Sequence, residues 1–135
     1  MAFETKRRLA FGDADPSGAA YFPSYLHLLV GVVEEFFAEI GWPWADLERD
    51  HGLILPTARI EVHFLRPGFP RDALDFRLKV AKVSATLLEL RHEVRRGEDL
   101  LWAAEQTLVP ASVETRRGAA WPEGLRLALE RTRTA

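Results

Sequence analysis

An α+β fold is expected for this chain, with an antiparallel sheet of about five strands wrapped around one long central helix. Three observations point there. A long apolar stretch with helix signals at both ends lies near the N-terminus. Later segments alternate polar and apolar residues at the period of a half-buried strand. The 135 residues, 47% hydrophobic and 28% charged, suit one globular domain, 1–135, with a core of its own.

Residues 3 to 11 read as the first strand. Asp15-Pro16-Ser17-Gly18 is a turn sequence, and Pro23 suits the first position of a helix, where its missing N–H costs nothing. From Pro23 to Ile40, Tyr25, Leu26, Leu28, Leu29, Val30, Val32, Val33, Phe36, Phe37 and Ile40 cover most of the helix circumference, so burial is expected. His27, Gly31, Glu35 and Glu39 make one polar stripe with Glu34 beside it, the wet or interface side. Gly41 is placed to end the helix. Ala45 to Asp50 reads as a short helix stopped by Gly52. Strands follow at 59–65, 74–80, 87–96 and 100–111, with Arg96-Gly97-Glu98-Asp99 as a hairpin turn. Residues 113–135 are rich in Arg, Glu and Gly; a short helix over 122–131 and a loose end are expected. Such a sheet leaves one helix face and one sheet edge uncovered, so pairing with a second copy is expected.

Composition removes several function classes. The formal charge of −2, with both signs mixed along the chain, gives no basic field for nucleic acid. With no cysteine there is no disulfide, thiolate nucleophile or cysteine-based zinc site, which suits the cytoplasm. Met1 to Arg8 lacks an apolar signal core, so the chain is expected to stay inside the cell. Its longest apolar stretch, Leu28 to Val33, is far short of the ~20 residues that span a bilayer, so no membrane association is expected. His27, His51, His63 and His92 show no metal-ligand spacing, and no metal is expected. There is no Gly-x-Ser-x-Gly elbow and no phosphate-binding glycine loop.

The chemistry concentrates in Phe11-Gly12-Asp13-Ala14-Asp15-Pro16-Ser17-Gly18 and the following Tyr21-Phe22-Pro23-Ser24-Tyr25. A carboxylate there stands beside the unpaired backbone donors of a helix start. Those donors, at the positive end of the dipole, can polarise a carbonyl while Asp15 attacks it or activates a water. Asp-Pro-Ser-Gly alone is also an ordinary turn. Asp13, Asp15, Ser17 and Gly18 mimic the opening of a calcium loop, but its twelfth position is Ser24 rather than Glu, and a strand precedes it. Asp13 is the acid suited to bonding the loop's own backbone and holding Asp15 in place.

This stretch resembles the 4-hydroxybenzoyl-CoA thioesterase family of hotdog-fold acyl-CoA thioesterases. Phe11, Gly12, Asp13, Asp15, Pro16, Gly18, Phe22, Pro23 and Tyr25 fall at the family's spacing, and a weaker likeness runs through Pro56 to Phe64, Asp72 and Arg91-His92, over roughly residues 3 to 112. The resemblance implies a hotdog fold and hydrolysis of an acyl-CoA thioester. It makes Asp15 the catalytic carboxylate, as nucleophile or as base for a water, and the backbone N–H of Phe22 the carbonyl-polarising donor. Gly18, Tyr21, Tyr25 and His63 are the expected substrate contacts. Tyr21, Phe22, Tyr25 and Trp42 would line a flat pocket for a benzoyl or hydroxybenzoyl group, and His63 lies on the strand that in hotdog dimers faces the partner's site. No cofactor is implied, since coenzyme A is part of the substrate. A homodimer or a dimer-of-dimers tetramer is implied.

Two alternatives stay open beside the aromatic acyl-CoA. Where some members carry a basic cluster for the nucleotide phosphates, this chain has Ser84-Ala85-Thr86, which leaves that clamp unassigned and admits short aliphatic acyl-CoA or acyl carrier protein substrates. A hotdog hydratase would want a histidine near Asp15, which the sequence lacks; a non-catalytic acyl-thioester binding module would keep the fold alone. Other hotdog thioesterases use a helix carboxylate, but Glu34, Glu35 and Glu39 read here as the polar stripe.

Overall fold

The computed structural model describes residues 2–134. Strand β1 (Phe3–Arg8) alternates half-buried and exposed residues and pairs antiparallel with the later strand β4 (Ala73–Ser84), from Phe3 opposite Leu78 to Arg8 opposite Ala73. The expected strand to residue 11 is cut short. Asp13 N–H donates to Ala10 O at 3.0 Å, while Ala10 N–H donates to the Asp13 carboxylate at 2.7 Å, and the chain closes into a 3-10 turn over Phe11–Asp13.

Helix α1 (Phe22–Glu39) starts with proline in its first turn, and Gly41, at φ 90°, sits just past its end. Its buried face is Tyr25, Leu29, Val32, Val33, Phe36 and Phe37. His27, Glu34, Glu35 and Glu39 of the expected polar stripe are exposed, and the apolar surface is narrower than expected, because Val30 is exposed too and Phe22 stands out at the helix start. Glu35 is tied to β1, accepting from Arg7 Nη2 at 2.6 Å and Thr5 Oγ1 at 2.9 Å.

Helix α2 (Trp44–His51) ends at Gly52, in the left-handed region at φ 61°. Strand β2 (Leu53–Ile54) is followed by β3 (Thr57–Phe64), β4 (Ala73–Ser84), β5 (Leu87–Arg96) and β6 (Asp99–Leu108). The five-stranded sheet has the order β1-β4-β5-β6-β3, and every neighbouring pair is antiparallel. The last long strand stops at Leu108 rather than 111, since Pro110 has no N–H to give a ladder, and β7 (Ala111–Ser112) pairs with β2 instead.

The tail departs most from expectation. Helix α3 (Glu123–Thr134) runs past 131, and Leu125 and Leu129 are fully buried in the same cluster as Leu78, Leu88 and Phe37. Trp121 docks its start, donating its backbone N–H to Ala85 O at 3.0 Å. One long central helix with two short ones was expected; the described residues hold three α-helices, and α1 does not serve the core alone, since α3 shares it with the sheet. None of the helices among the described residues is long and apolar enough to cross a membrane.

Candidate active site

Residues 10–21 form a loop held by backbone bonds and by the side chains of Asp13, Asp15 and Ser17. Asp15 N–H donates to Ala19 O at 3.1 Å, Gly18 N–H to Asp15 O at 2.9 Å, and Tyr21 N–H to Asp13 O at 2.7 Å. Gly18 adopts φ 88°, where a side chain would be strained. Asp13 turns its carboxylate inward to Ala10 N–H, the bracing role its position suggested. Asp15 is half-exposed, and its Oδ1 accepts from both the backbone N–H of Ser17, at 2.8 Å, and the Ser17 hydroxyl. Those bonds, the hydroxyl's first, hold the Asp15 carboxyl below the ordinary aspartate value of 3.8, so it is ionised near neutrality. Its second oxygen, Oδ2, is left for other chemistry.

The loop delivers the chain to α1 with most first-turn donors already engaged. Tyr21 N–H goes to Asp13 O, Ser24 N–H goes to Tyr21 O at 2.8 Å, and Pro23 has none. Among the described residues no backbone acceptor is recorded for Phe22 N–H, which stands at the positive end of an 18-residue helix.

The aromatic residues separate into two groups. Tyr21 and Phe22 are 50% and 55% exposed, and Phe22 meets Phe64 of β3 edge to face at a ring separation of 6.1 Å. Tyr25 is buried: its ring lies 5.2 Å from Trp102 and stacks on Phe64 at 6.2 Å, and burial pushes its phenol up. Its hydroxyl rests against Gly68, where an added Cβ would collide with it and with Leu9 Cδ1 at 2.9 Å. Trp42 is not part of this surface. It follows the far end of α1, about 27 Å from Phe22 at 1.5 Å per residue, and packs on His51 and Gly124.

His63 lies on the exposed edge strand β3, with Nε2 3.0 Å from Glu61 Oε2. Sequence reasoning did not single out Phe64 or Gly68. The exposed aromatic on an alternating strand was a signal for the first; for the second, Pro67-Gly68 marked a turn, but its contact with Tyr25 is visible only in three dimensions. The β4–β5 turn, Ser84 to Leu87, carries no basic side chain, and Ala85 O is taken by Trp121. No group of three or more His, Asp or Glu side chains among the described residues could hold a metal ion.

A five-stranded antiparallel sheet packed on a long helix, with an acidic loop at that helix's start, defines a hotdog-type thioesterase fold. The sequence model of the thioesterase-like superfamily matches residues 9–129, and the chain belongs to that superfamily. It is a thioester hydrolase by class. A 1,4-dihydroxy-2-naphthoyl-CoA hydrolase of Microcystis aeruginosa is 25% identical over 121 residues, covering 90% of this chain and 88% of its own. The fold is shared with a 1,4-dihydroxy-2-naphthoyl-CoA thioesterase from Synechocystis, at TM-score 0.86 and 21% identity over 96% of each chain. It is shared too with a Staphylococcus aureus protein solved in complex with CoA, at TM-score 0.92 and 16% identity over 99% of this chain and 85% of that one. The superfamily is broader than the 4-hydroxybenzoyl-CoA family that the loop motif resembles.

Proposed function

We propose that this chain hydrolyses an aromatic acyl-CoA, with Asp15 as the reacting carboxylate and the Phe22 N–H as the donor to the thioester carbonyl. The observation that supports the reading is a half-exposed, ionised Asp15 on the loop that leads into a helix start, where among the described residues Phe22 N–H has no acceptor outside the helix. In the covalent route Asp15 Oδ2 attacks the carbonyl carbon, the thiolate leaves with the electron pair and is protonated, and water cleaves the mixed anhydride. In the general-base route Asp15 takes a proton from the water that attacks. Both routes place negative charge on the carbonyl oxygen, where one well-aimed N–H is worth about a hundred- to a thousand-fold in rate.

The aromatic acyl group is supported by the exposed rings of Tyr21, Phe22 and Phe64 beside the loop, and by the naphthoyl-CoA names of the relatives. Gly18 and Tyr21 are the proposed loop contacts, and Tyr25 backs Phe64 from within the core. The working unit is proposed to be one domain, with the sheet wrapped around α1 and a second copy along the exposed edge of β3, where Ile60 and Phe64 are uncovered. His63 would then face the partner. Light scattering should give at least twice the 15.3 kDa chain mass.

The deciding experiment is a panel of acyl-CoA esters followed by release of free thiol. Benzoyl- and hydroxynaphthoyl-type esters should turn over fastest. Aliphatic esters well ahead of them would overturn the aromatic assignment, and no thiol release from any ester would overturn the reading itself.

A further inference from the structure

Residues 65–72, between β3 and β4, grip the candidate catalytic loop at both ends. At its entry, Leu9 N–H donates to Asp72 O at 3.0 Å and Arg71 N–H donates to Leu9 O at 2.7 Å. At its exit, Ala20 N–H donates to Gly68 O at 2.8 Å. Ala20 stands two residues before Phe22, so the position of Gly68 O sets where the chain enters the helix. Gly68 also touches the Tyr25 hydroxyl from the first turn of that helix.

The segment is anchored at its start by Leu65 and Arg66 N–H, which donate to Leu101 O at 2.9 and 3.0 Å, and braced inside by Asp72 N–H to Phe69 O at 3.0 Å. Arg71 sits at φ 77°, a conformation that a side chain disfavours, and its carbonyl accepts from Arg8 Nη1 at 2.7 Å. Over residues 67–72 an ion pair adds the tie to the β5–β6 hairpin. Asp72 Oδ2 accepts from Phe69 N–H at 2.8 Å, inside the segment, and from Arg96 Nη1 at 2.7 Å; the same Nη1 reaches Pro67 O at 3.4 Å. Arg96 belongs to the β5–β6 hairpin, in the middle of the sheet order, and both side chains are part-buried, at 32% and 21% exposed. The short Nη1–Oδ2 contact and the added bonds to Phe69 N–H and Pro67 O set the pair's geometry, which matters more here than its strength.

We propose that the Asp72–Arg96 pair positions the reacting groups: it fixes residues 67–72 to the rigid sheet, Gly68 O fixes Ala20, and the Phe22 N–H and Asp15 are thereby held in register. Neither side chain touches substrate in this account. The proposal rests on the function proposed above, but its geometry can be read without it. A small displacement of an otherwise intact site costs up to about a hundredfold in rate.

The test compares Arg96→Gln, Asp72→Asn and the conservative Arg96→Lys with Arg95→Gln, a neighbour that pairs with Glu93 at 3.4 Å and donates to Glu98 O at 3.3 Å, away from residues 67–72. Well below the melting temperature, Arg96→Gln and Asp72→Asn should lower kcat about ten- to a hundredfold while KM stays within about threefold. Arg96→Lys, which keeps the charge but loses the fork, should recover part of kcat. Amide hydrogen exchange at Leu9 and Ala20 should quicken in Arg96→Gln and stay parental in Arg95→Gln. A lowered melting temperature with parental kcat would make the pair a stabiliser only and overturn the proposal. So would unchanged exchange at Ala20. If Arg96→Gln does not fold, Arg96→Lys carries the same two readouts. If the parental chain releases no thiol from any ester, the function fails on its own and the brace stands or falls on exchange.

Discussion

Asp15 and His92 are both hydrogen-bonded, and their surroundings make opposite groups of them. Asp15 lies half-exposed on a loop, takes two bonds from Ser17, and is held charged. His92, 2% exposed at the centre of β5, pairs its Nε2 with Gln106 Oε1 at 2.8 Å, and Gln106 Nε2 donates to Thr57 Oγ1 at 2.9 Å. Since Gln106 presents an oxygen, His92 carries its proton on Nε2 and stays neutral. Burial drives its pKa down to about 4. The difference separates roles: an ionised carboxylate on the loop before a helix can react, whereas a neutral imidazole on the buried face of β5, in line with Leu90 and Val94, can only hold strands together. Activity should therefore depend on the first cluster and stability on the second.

The largest effect expected is on activity alone. Asp15→Asn removes the charge and keeps the shape, so turnover should fall on the order of a thousandfold or more, while the melting temperature stays within a degree or two. Near-parental thiol release from this variant would break the separation at its first term.

Next is the pH dependence of stability. His92 takes up a proton near pH 6.5 when unfolded and near 4 when folded, so the unfolded chain binds more protons in that window and stability rises with pH across it. Its contribution is whole above about 6.5 and is lost as pH falls toward 4. The span corresponds to about 3 kcal/mol at most. Denaturant unfolding at several pH values should show this slope in the parental chain and lose most of it in His92→Leu. An equal slope in both would move the acid sensitivity elsewhere.

These two clusters were unequally legible in the sequence. The Asp15 loop was legible because its turn residues, its proline and its apolar helix lie side by side, and local physics fixes all three. Alternation gave β4 and β5 for the same reason, and Gly41 and Gly52 marked two helix ends. What failed depended on distant partners. The first strand stops early because the Asp13 side chain reaches back to Ala10. A short helix was expected over 122–131, close to α3, but its docking into the core was not, because the spacing of Leu125, Ala128 and Leu129 matters only once the sheet is there to receive it. Tyr21 and Tyr25 looked equivalent, yet Trp102 takes one inside and leaves the other exposed. The pairing of His92 with Gln106 needs the β5–β6 register, in which Leu90 stands opposite Gln106 and His92 opposite Ala104.

A smaller effect on stability should follow from Gln106→Leu. The change leaves the His92 Nε2–H without its acceptor in an apolar core, at a cost of about 1–3 kcal/mol, while half of the loss at Thr57 is repaired by water at the exposed end of β3. Thiol release per folded molecule should remain parental. If turnover fell with stability, the His92–Gln106–Thr57 chain would belong to the site.

The smallest effect isolates what tunes Asp15. Ser17→Ala deletes the hydroxyl, the leading cause of the lowered pKa, and keeps the backbone N–H bond at 2.8 Å. A carboxylate that loses a donor to its charged form protonates at higher pH, so the acid limb of the kcat/KM profile should move up toward 3.8. At pH 7 the group is ionised either way, which confines the change in rate to a few-fold. The hydroxyl also accepts from Ala19 N–H at 3.3 Å, so some loosening of the loop accompanies its loss, but no core contact is disturbed and the melting temperature should hold. A limb that does not move would mean that another group sets the acid dependence. A fall in stability as large as that of Gln106→Leu would show that the loop is built into the core in the way the His92 cluster is, and the two clusters would no longer be distinct.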